Sequence, residues 1–365
     1  MDLKPRLTVT VVAGLIVVIG LTACDRPHTS ALSAAPTLHI GAVNDFQSVP
    51  IAPLGTDIDL VAISDPPTSA RIALGRFLFF DARLSSAGSI ACATCHRPEL
   101  AFSDGSAVSS GIRQQKGSRK APALINLAAP IYPHFFRDGR ASSLEAQALE
   151  PIINPIEMGN TREGVLKALR DIDAYRPYFA AAFGDPEVTT DRVAKALADY
   201  VRTRMSGNSP WDRWRRNHDE SAVSQQVNEG HELFFGKAGC NQCHLGSSFT
   251  DSSFHNLGIG WDPQAQTFRD EGRYGVTNQA VDRGAFKTPT LREVTKHPPY
   301  MHDGSIATLR DVLDLYNRGA ESNPYLDPRI RPLQLTEQEI DALLAFLHAL
   351  EGEGYADESP KMFPQ

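Results

Sequence analysis

The chain has 365 residues, of which 42% are hydrophobic and 22% charged, and a formal net charge of −7. This length suits about two domains of ordinary size, and the apolar share excludes a disordered chain. The acidic balance, with no basic patch, excludes a nucleic-acid binder held by phosphate contacts.

In chain order, the N-terminus shows Lys4 and Arg6, an apolar stretch from Leu7 to Leu21, and then Leu21-Thr22-Ala23-Cys24. The first two parts read as an export signal over residues 1–24. The third resembles a bacterial lipobox in which Cys24 is lipidated, and Asp25 after it matches retention at the inner membrane. An ordinary cleaved signal or an uncleaved anchor is the alternative. In each case the folded part is expected outside the cytoplasm, in the periplasm, touching the membrane only through this segment. Residues 25–67, rich in Ala, Pro, Ser and Thr, read as a tether. A helical pattern begins at Ser69 and recurs at 161–183, 190–205, 221–235 and 306–317. A last helix opens at Thr336, whose spacing to Glu339 suits a capping box. Long Gly- and Pro-rich stretches at 97–140 and 246–305 separate these helices and need something to organise them.

Two pentapeptides supply it. Cys92-Ala-Thr-Cys95-His96 and Cys240-Asn-Gln-Cys243-His244 share the form Cys-x-x-Cys-His, the attachment signal for c-type haem. Two thiols so spaced add to the vinyl groups of one porphyrin, and the histidine becomes the proximal iron ligand. A four-cysteine zinc site would place its pairs about 15–20 residues apart; more than a hundred separate these. A dithiol redox site does not explain a histidine after both pairs. Four of five cysteines are thereby used and Cys24 is the fifth, so none remains for a disulfide.

The segments leading into the motifs repeat: Gly75-Arg-Phe-Leu78-Phe79-Phe80 and Gly230-His-Glu-Leu233-Phe234-Phe235. This favours duplication of one unit, with a boundary near Gly207 to Asp219. The expected fold is mainly α: two cytochrome c-like haem domains with long irregular loops, at 68–207 and 208–355, and a tail at 356–365.

Several motifs in order, Phe79-Phe80-Asp81-x-Arg83-Leu84-Ser85, Phe136-x-Asp138-Gly139-Arg140, Glu157-Met158 and Pro299-Tyr300-Met301-His302, resemble the bacterial di-haem cytochrome c peroxidases and their MauG relatives. The resemblance spans about 68–352. It implies a peroxidatic N-terminal haem and an electron-transferring C-terminal haem. Gln147 and Glu157 match the family's distal pair: Glu157 as acid–base group for O–O cleavage, Gln147 orienting peroxide or water. No histidine lies between His96 and His134, so Gly111-Ile112-Arg113 lacks the distal histidine of many family peroxidases. An open or water-bound first haem is expected. Tyr316 matches the sixth-ligand position of the second haem, tyrosine in the MauG branch and methionine in other members; Met301 is a competing ligand.

Departures from the family are explicit. Arg137 and Ala238 stand where MauG has tryptophans, so electron transfer is expected through Tyr132, Trp211, Trp214 or Trp261, or to be slower. The family's Ca²⁺ is partly held by an asparagine after an arginine; here the pair is Arg119-Lys120, leaving bound Ca²⁺ and a substituting ammonium as alternatives. His302 couples the second haem to the inter-domain network or serves as a structural hydrogen-bonding group. Three functions follow: a MauG-like oxidoreductase using hydrogen peroxide to oxidise a partner protein or small donor, a conventional peroxidase fed by a small cytochrome, and an electron-transfer cytochrome without catalysis.

Overall fold

The computed structural model describes residues 48–365, so the export signal, Cys24 and the first part of the tether lie outside the described residues. The described residues belong to one compact unit. Its helices are α1 (Ser69–Phe80), α2 (Cys92–Cys95), α3 (Leu144–Ile153), α4 (Arg162–Arg170), α5 (Arg176–Phe183), α6 (Thr190–Arg202), α7 (Pro210–Asn217), α8 (Gln225–Phe235), α9 (Tyr274–Thr277), α10 (Leu309–Asn317) and α11 (Glu337–His348). Sheet is confined to two short antiparallel pairs, β1 (Phe254–Asn256) with β4 (Ala285–Lys287) and β2 (Trp261–Asp262) with β3 (Thr267–Phe268). Hydroxyl caps start most of the longer helices: Thr68 accepts from Arg71 N–H, and Thr336 forms the expected capping box with Glu339. No described helix is long and apolar enough to cross a membrane.

Buried apolar residues form two clusters. One gathers α1, α3, α5 and α6 around Ile72, Leu74, Phe79, Phe179 and Tyr200; the other joins α8 and α11 around Phe234, Phe249, Leu343 and Phe346. The crossing helices meet through matching glycines. A Cβ on Gly75 would lie 1.9 Å from Ala196 O and 2.9 Å from Tyr200 Cβ, and one on Gly230 would lie 2.0 Å from Ala342 O and 2.8 Å from Phe346 Cβ. In both places a helix glycine packs on an alanine and an aromatic one turn apart. Alanine at Gly230 gains about 1 kcal/mol of helix propensity but forces overpacking that costs about 1–3 kcal/mol. Gly230→Ala is therefore expected to lower the thermal unfolding midpoint, and an unchanged or raised midpoint would refute the close packing.

Three segments differ from expectation. The stretch up to 67, read as tether, is already packed within its second half. Ile58 and Leu60 are buried and Gly55 O accepts from Arg292. Its Pro- and Gly-rich composition hid this because its contacts are long-range. The region near 207–219 contains α7, whose Asp212 forms a fully buried, two-bond pair with Arg292. Residues 356–365 return to the first repeat rather than trailing free. Asp357 bonds Arg76, Arg204 and Tyr200, and the Phe363 ring meets Phe77 edge-on at 6.4 Å.

Candidate functional site

Both pentapeptides open onto one continuous cavity of about 760 Å³, lined by Cys92, Cys95 and His96 from one repeat and Cys240, Cys243 and His244 from the other. The short helix α2 turns His96 back over its cysteines, with His96 N–H donating to Cys92 O at 2.9 Å; His244 N–H donates to Cys240 O at the same distance. Each imidazole is then held from behind. His96 Nδ1 lies 2.7 Å from Phe102 O, and His244 Nδ1 lies 2.9 Å from Phe249 O. A carbonyl acceptor fixes Nδ1 as the protonated nitrogen and leaves Nε2 for a metal. The carbonyl-bearing turns are braced alike, by Ser103 Oγ to Ala121 O and Thr250 Oγ1 to Thr288 O, both 2.7 Å.

None of the four cysteines is in a disulfide. Burial pushes Cys92 and Cys240 up to about 12 and Cys95 to about 11. A reactive dithiol needs a lowered thiol pKa, and burial moves these three thiols the other way. Among the described residues no four-cysteine cluster exists; the single metal-like grouping is Cys243, Asp251 and His255. There His255 has a carboxylate on each ring nitrogen, Asp327 at 2.8 Å and Asp251 at 2.9 Å. Cysteines in pairs, an imidazole presenting one nitrogen and a largely apolar cavity fit two c-type haems.

On the N-terminal side, Gln147 and Glu157 line the cavity with Cys92 and His96. Gln147 comes from α3, which starts at the Ser143 cap and was not anticipated as a helix. Glu157 follows in the turn after α3, fixed by Glu157 N–H to Asn154 O and Met158 N–H to Pro151 O. Its carboxylate accepts from Asn154 Nδ2 at 2.8 Å. Burial raises its pKa above the ordinary carboxylate range, against the lowering effects of Arg140 and Asn154. Gly111 packs on this turn, where a Cβ would lie 2.0 Å from Ile156 O, and Ile112 N–H donates to Glu157 O. His134 turns its ring toward Phe254 instead.

On the C-terminal side, α10 starts at the Thr308 cap and carries Tyr316 into the cavity. Burial pushes the phenol pKa up. Met301, the competing candidate, also lines the cavity. Helices α3 and α10 occupy equivalent places. Each follows a bridge closing an Asp-Gly turn, Phe135 with Ala141 and Tyr300 with Ile306. Counting eight residues past each cap reaches Pro151 in α3 and Tyr316 in α10, and both line the cavity. One helix position thus presents a phenol to one half and a residue without a ligating atom to the other.

The halves meet through a reciprocal exchange. Lys120 N–H donates to His302 O and Lys287 N–H to Arg137 O, both at 2.8 Å. Lys120-Ala-Pro and Lys287-Thr-Pro are equivalent segments, as are Arg137 and His302 before their Asp-Gly turns. His302 stacks on Phe286 with centroids 3.7 Å apart. Arg119 bonds Asp138 within its own half and Asp270 across the boundary, at 2.6 Å each. Lys120 Nζ is buried, 3.2 Å from Ser106 O and 3.5 Å from Asp104. Of the suggested hopping residues, Tyr132 lines the cavity, Trp211 meets Phe249 edge-on at 4.9 Å, Trp214 bonds Glu220, and Trp261 packs on Phe268. Neither Lys287 nor His255 stands out in the sequence; only the Lys-x-Pro spacing shared by 120–122 and 287–289 draws attention to the first.

A family model described as di-haem cytochrome c peroxidase matches residues 69–220. The methylamine utilization protein MauG of Methylorubrum extorquens is 41% identical over 300 residues, covering 82% of this chain and 83% of that protein. The cytochrome c551 peroxidase of Nitrosomonas europaea is 34% identical, covering 87% and 90%. A crystal structure of a MauG-like protein associated with microbial copper homeostasis superposes with a TM-score of 0.74 at 30% identity, covering 83% and 94%. With this similarity running across both haem motifs, the chain belongs to the di-haem cytochrome c peroxidase family: it is a di-haem peroxidase, and membership implies two c-type haems.

Proposed function

We propose that this is a MauG-like peroxidase in which hydrogen peroxide reacts on the His96 side, while the His244 side is closed by Tyr316 and stores or passes oxidising equivalents. The observation that carries this reading is the α3/α10 difference: Pro151 cannot ligate a metal, whereas Tyr316 can. When bound, each haem supplies a redox-active iron that takes up and passes on oxidising equivalents. Glu157 takes the proton from the near oxygen of peroxide and returns it to the departing oxygen. Burial raises its pKa, which makes the proton easier to take up than on an exposed carboxylate. Gln147 orients peroxide or water by an amide hydrogen bond. Since 109–117 carries no histidine, no imidazole from that loop has to leave before peroxide enters. The substrate is a partner protein or small electron donor, and the protein acts in the periplasm, held to the inner membrane through Cys24.

The test is stoichiometric hydrogen peroxide added to the diferric protein. The optical spectrum should change at once and slowly return. A response only after half-reduction, with rapid oxidation of reduced small cytochrome c, would favour the conventional peroxidase; no response at all would favour the electron-transfer cytochrome.

We infer that the buried Lys120 ammonium stands where a Ca²⁺ would otherwise supply positive charge. Chelator treatment should therefore leave the haem spectra and peroxide response unchanged, and loss of either on chelation, restored by Ca²⁺, would contradict this assignment.

A further inference from the structure

The reciprocal exchange between the halves concentrates positive charge with too few carboxylates to balance it. Arg137 Nε donates to Lys120 O at 3.0 Å, but its two terminal nitrogens have no hydrogen-bond or ion-pair partner among the described residues. Lys287 Nζ donates to His134 O at 2.9 Å and lies over the Tyr132 and Phe135 rings at 5.1 and 5.7 Å; it pairs with no carboxylate among the described residues, and Asp138 reaches it only through its field. Lys120, bonded to Ser106 O, has one carboxylate contact among the described residues, the longer one to Asp104. Arg137, Lys287 and Lys120 all line the cavity, and Asp104 and Asp303 are the acidic groups whose fields reach Arg137. Desolvation, aided by the neighbouring cations, pushes Arg137 down to about 10 and Lys287 to about 8. Cations so placed cost several kcal/mol unless an anion meets them.

A haem carries its own anions, two propionate carboxylates. We propose that Arg137 and Lys287, joined backbone to backbone across the boundary, clamp a haem propionate between the halves, making the link between the two sites ionic and holding the potential of that haem up. This rests on the reading that the cavity holds two haems. Arginine suits the role because its fork offers two parallel donors to a carboxylate. A nearby cation favours the reduced haem, which carries one positive charge fewer, so removing it lowers the potential.

The experiment is a spectroelectrochemical titration of both haems in the wild-type holoprotein and in Arg137→Leu, Arg137→Lys and Lys287→Met, with haem content measured on each. Arg137→Leu and Lys287→Met, each with two haems, should shift the reduced-to-oxidised ratio at fixed potential at least about tenfold toward the oxidised form, 59 mV for one electron. Arg137→Lys, which keeps the charge and loses the fork, should shift the ratio clearly less than Arg137→Leu does. Potentials unchanged in the Leu and Met variants, or an equal fall in Arg137→Lys, would overturn the clamp. If Arg137→Leu fails to mature, Lys287→Met decides alone. The peroxide response of the wild type is a separate reading: unmoved potentials with that response intact refute only the clamp, and moved potentials without it refute only the proposed function.

Discussion

Replacing Glu157 by glutamine should slow the reaction of the diferric protein with hydrogen peroxide about 10²–10⁴-fold, the usual worth of a positioned acid–base group, while both haems stay attached. Glutamine keeps the acceptor that Asn154 Nδ2 bonds at 2.8 Å, so the turn after α3 is preserved and only the proton-transferring oxygen is lost. The pH profile carries the sign. Proton uptake needs the carboxylate, and burial raises the Glu157 pKa, so wild-type reactivity should fall with decreasing pH through a value above the ordinary carboxylate range. That limb should vanish in Glu157→Gln. A rate within about threefold of wild type, with the limb retained, would remove Glu157 from the chemistry, since that loss lies far below the acid–base range.

The second large effect is structural. Asp357→Ala should destabilise the protein by about 3–5 kcal/mol, the cost of removing one partner from a buried ion pair. The Asp357 side chain is fully buried, and Arg76, itself 3% exposed, has no other carboxylate partner among the described residues. Thermal or denaturant unfolding of the holoprotein measures this, and a loss below about 1 kcal/mol, the worth of an exposed pair, would show that the C-terminal segment is not a clasp.

What was legible in the residues was local. Cysteine and histidine spacing points to attachment chemistry because two thioether bonds and one iron ligand must come from a single turn of chain. The Gly75 and Gly230 segments could be matched because a helix that crosses another closely needs glycine at the same place in both copies. The role of Asp357 was not legible, since its partner Arg76 is 281 residues away, nor was the packing of Ile58 and Leu60, which sit in a Pro-rich stretch without period. Helix α3 escaped notice because Pro151 interrupts its pattern, and with it went the correspondence between Pro151 and Tyr316. Arg137 was read only as a tryptophan that is missing. Its significance came from Lys287 and Lys120, which the exchange between the halves brings beside it.

The two sites are held to be unequal, one open over His96 and one closed by Tyr316. Low-temperature EPR of the as-isolated diferric protein, wild type and Tyr316→Phe, tests this most directly. The account predicts one high-spin and one low-spin ferric signal in the wild type, with only the low-spin signal altered by the substitution. Two low-spin signals in the wild type, or a low-spin signal that Tyr316→Phe leaves unchanged, would contradict it.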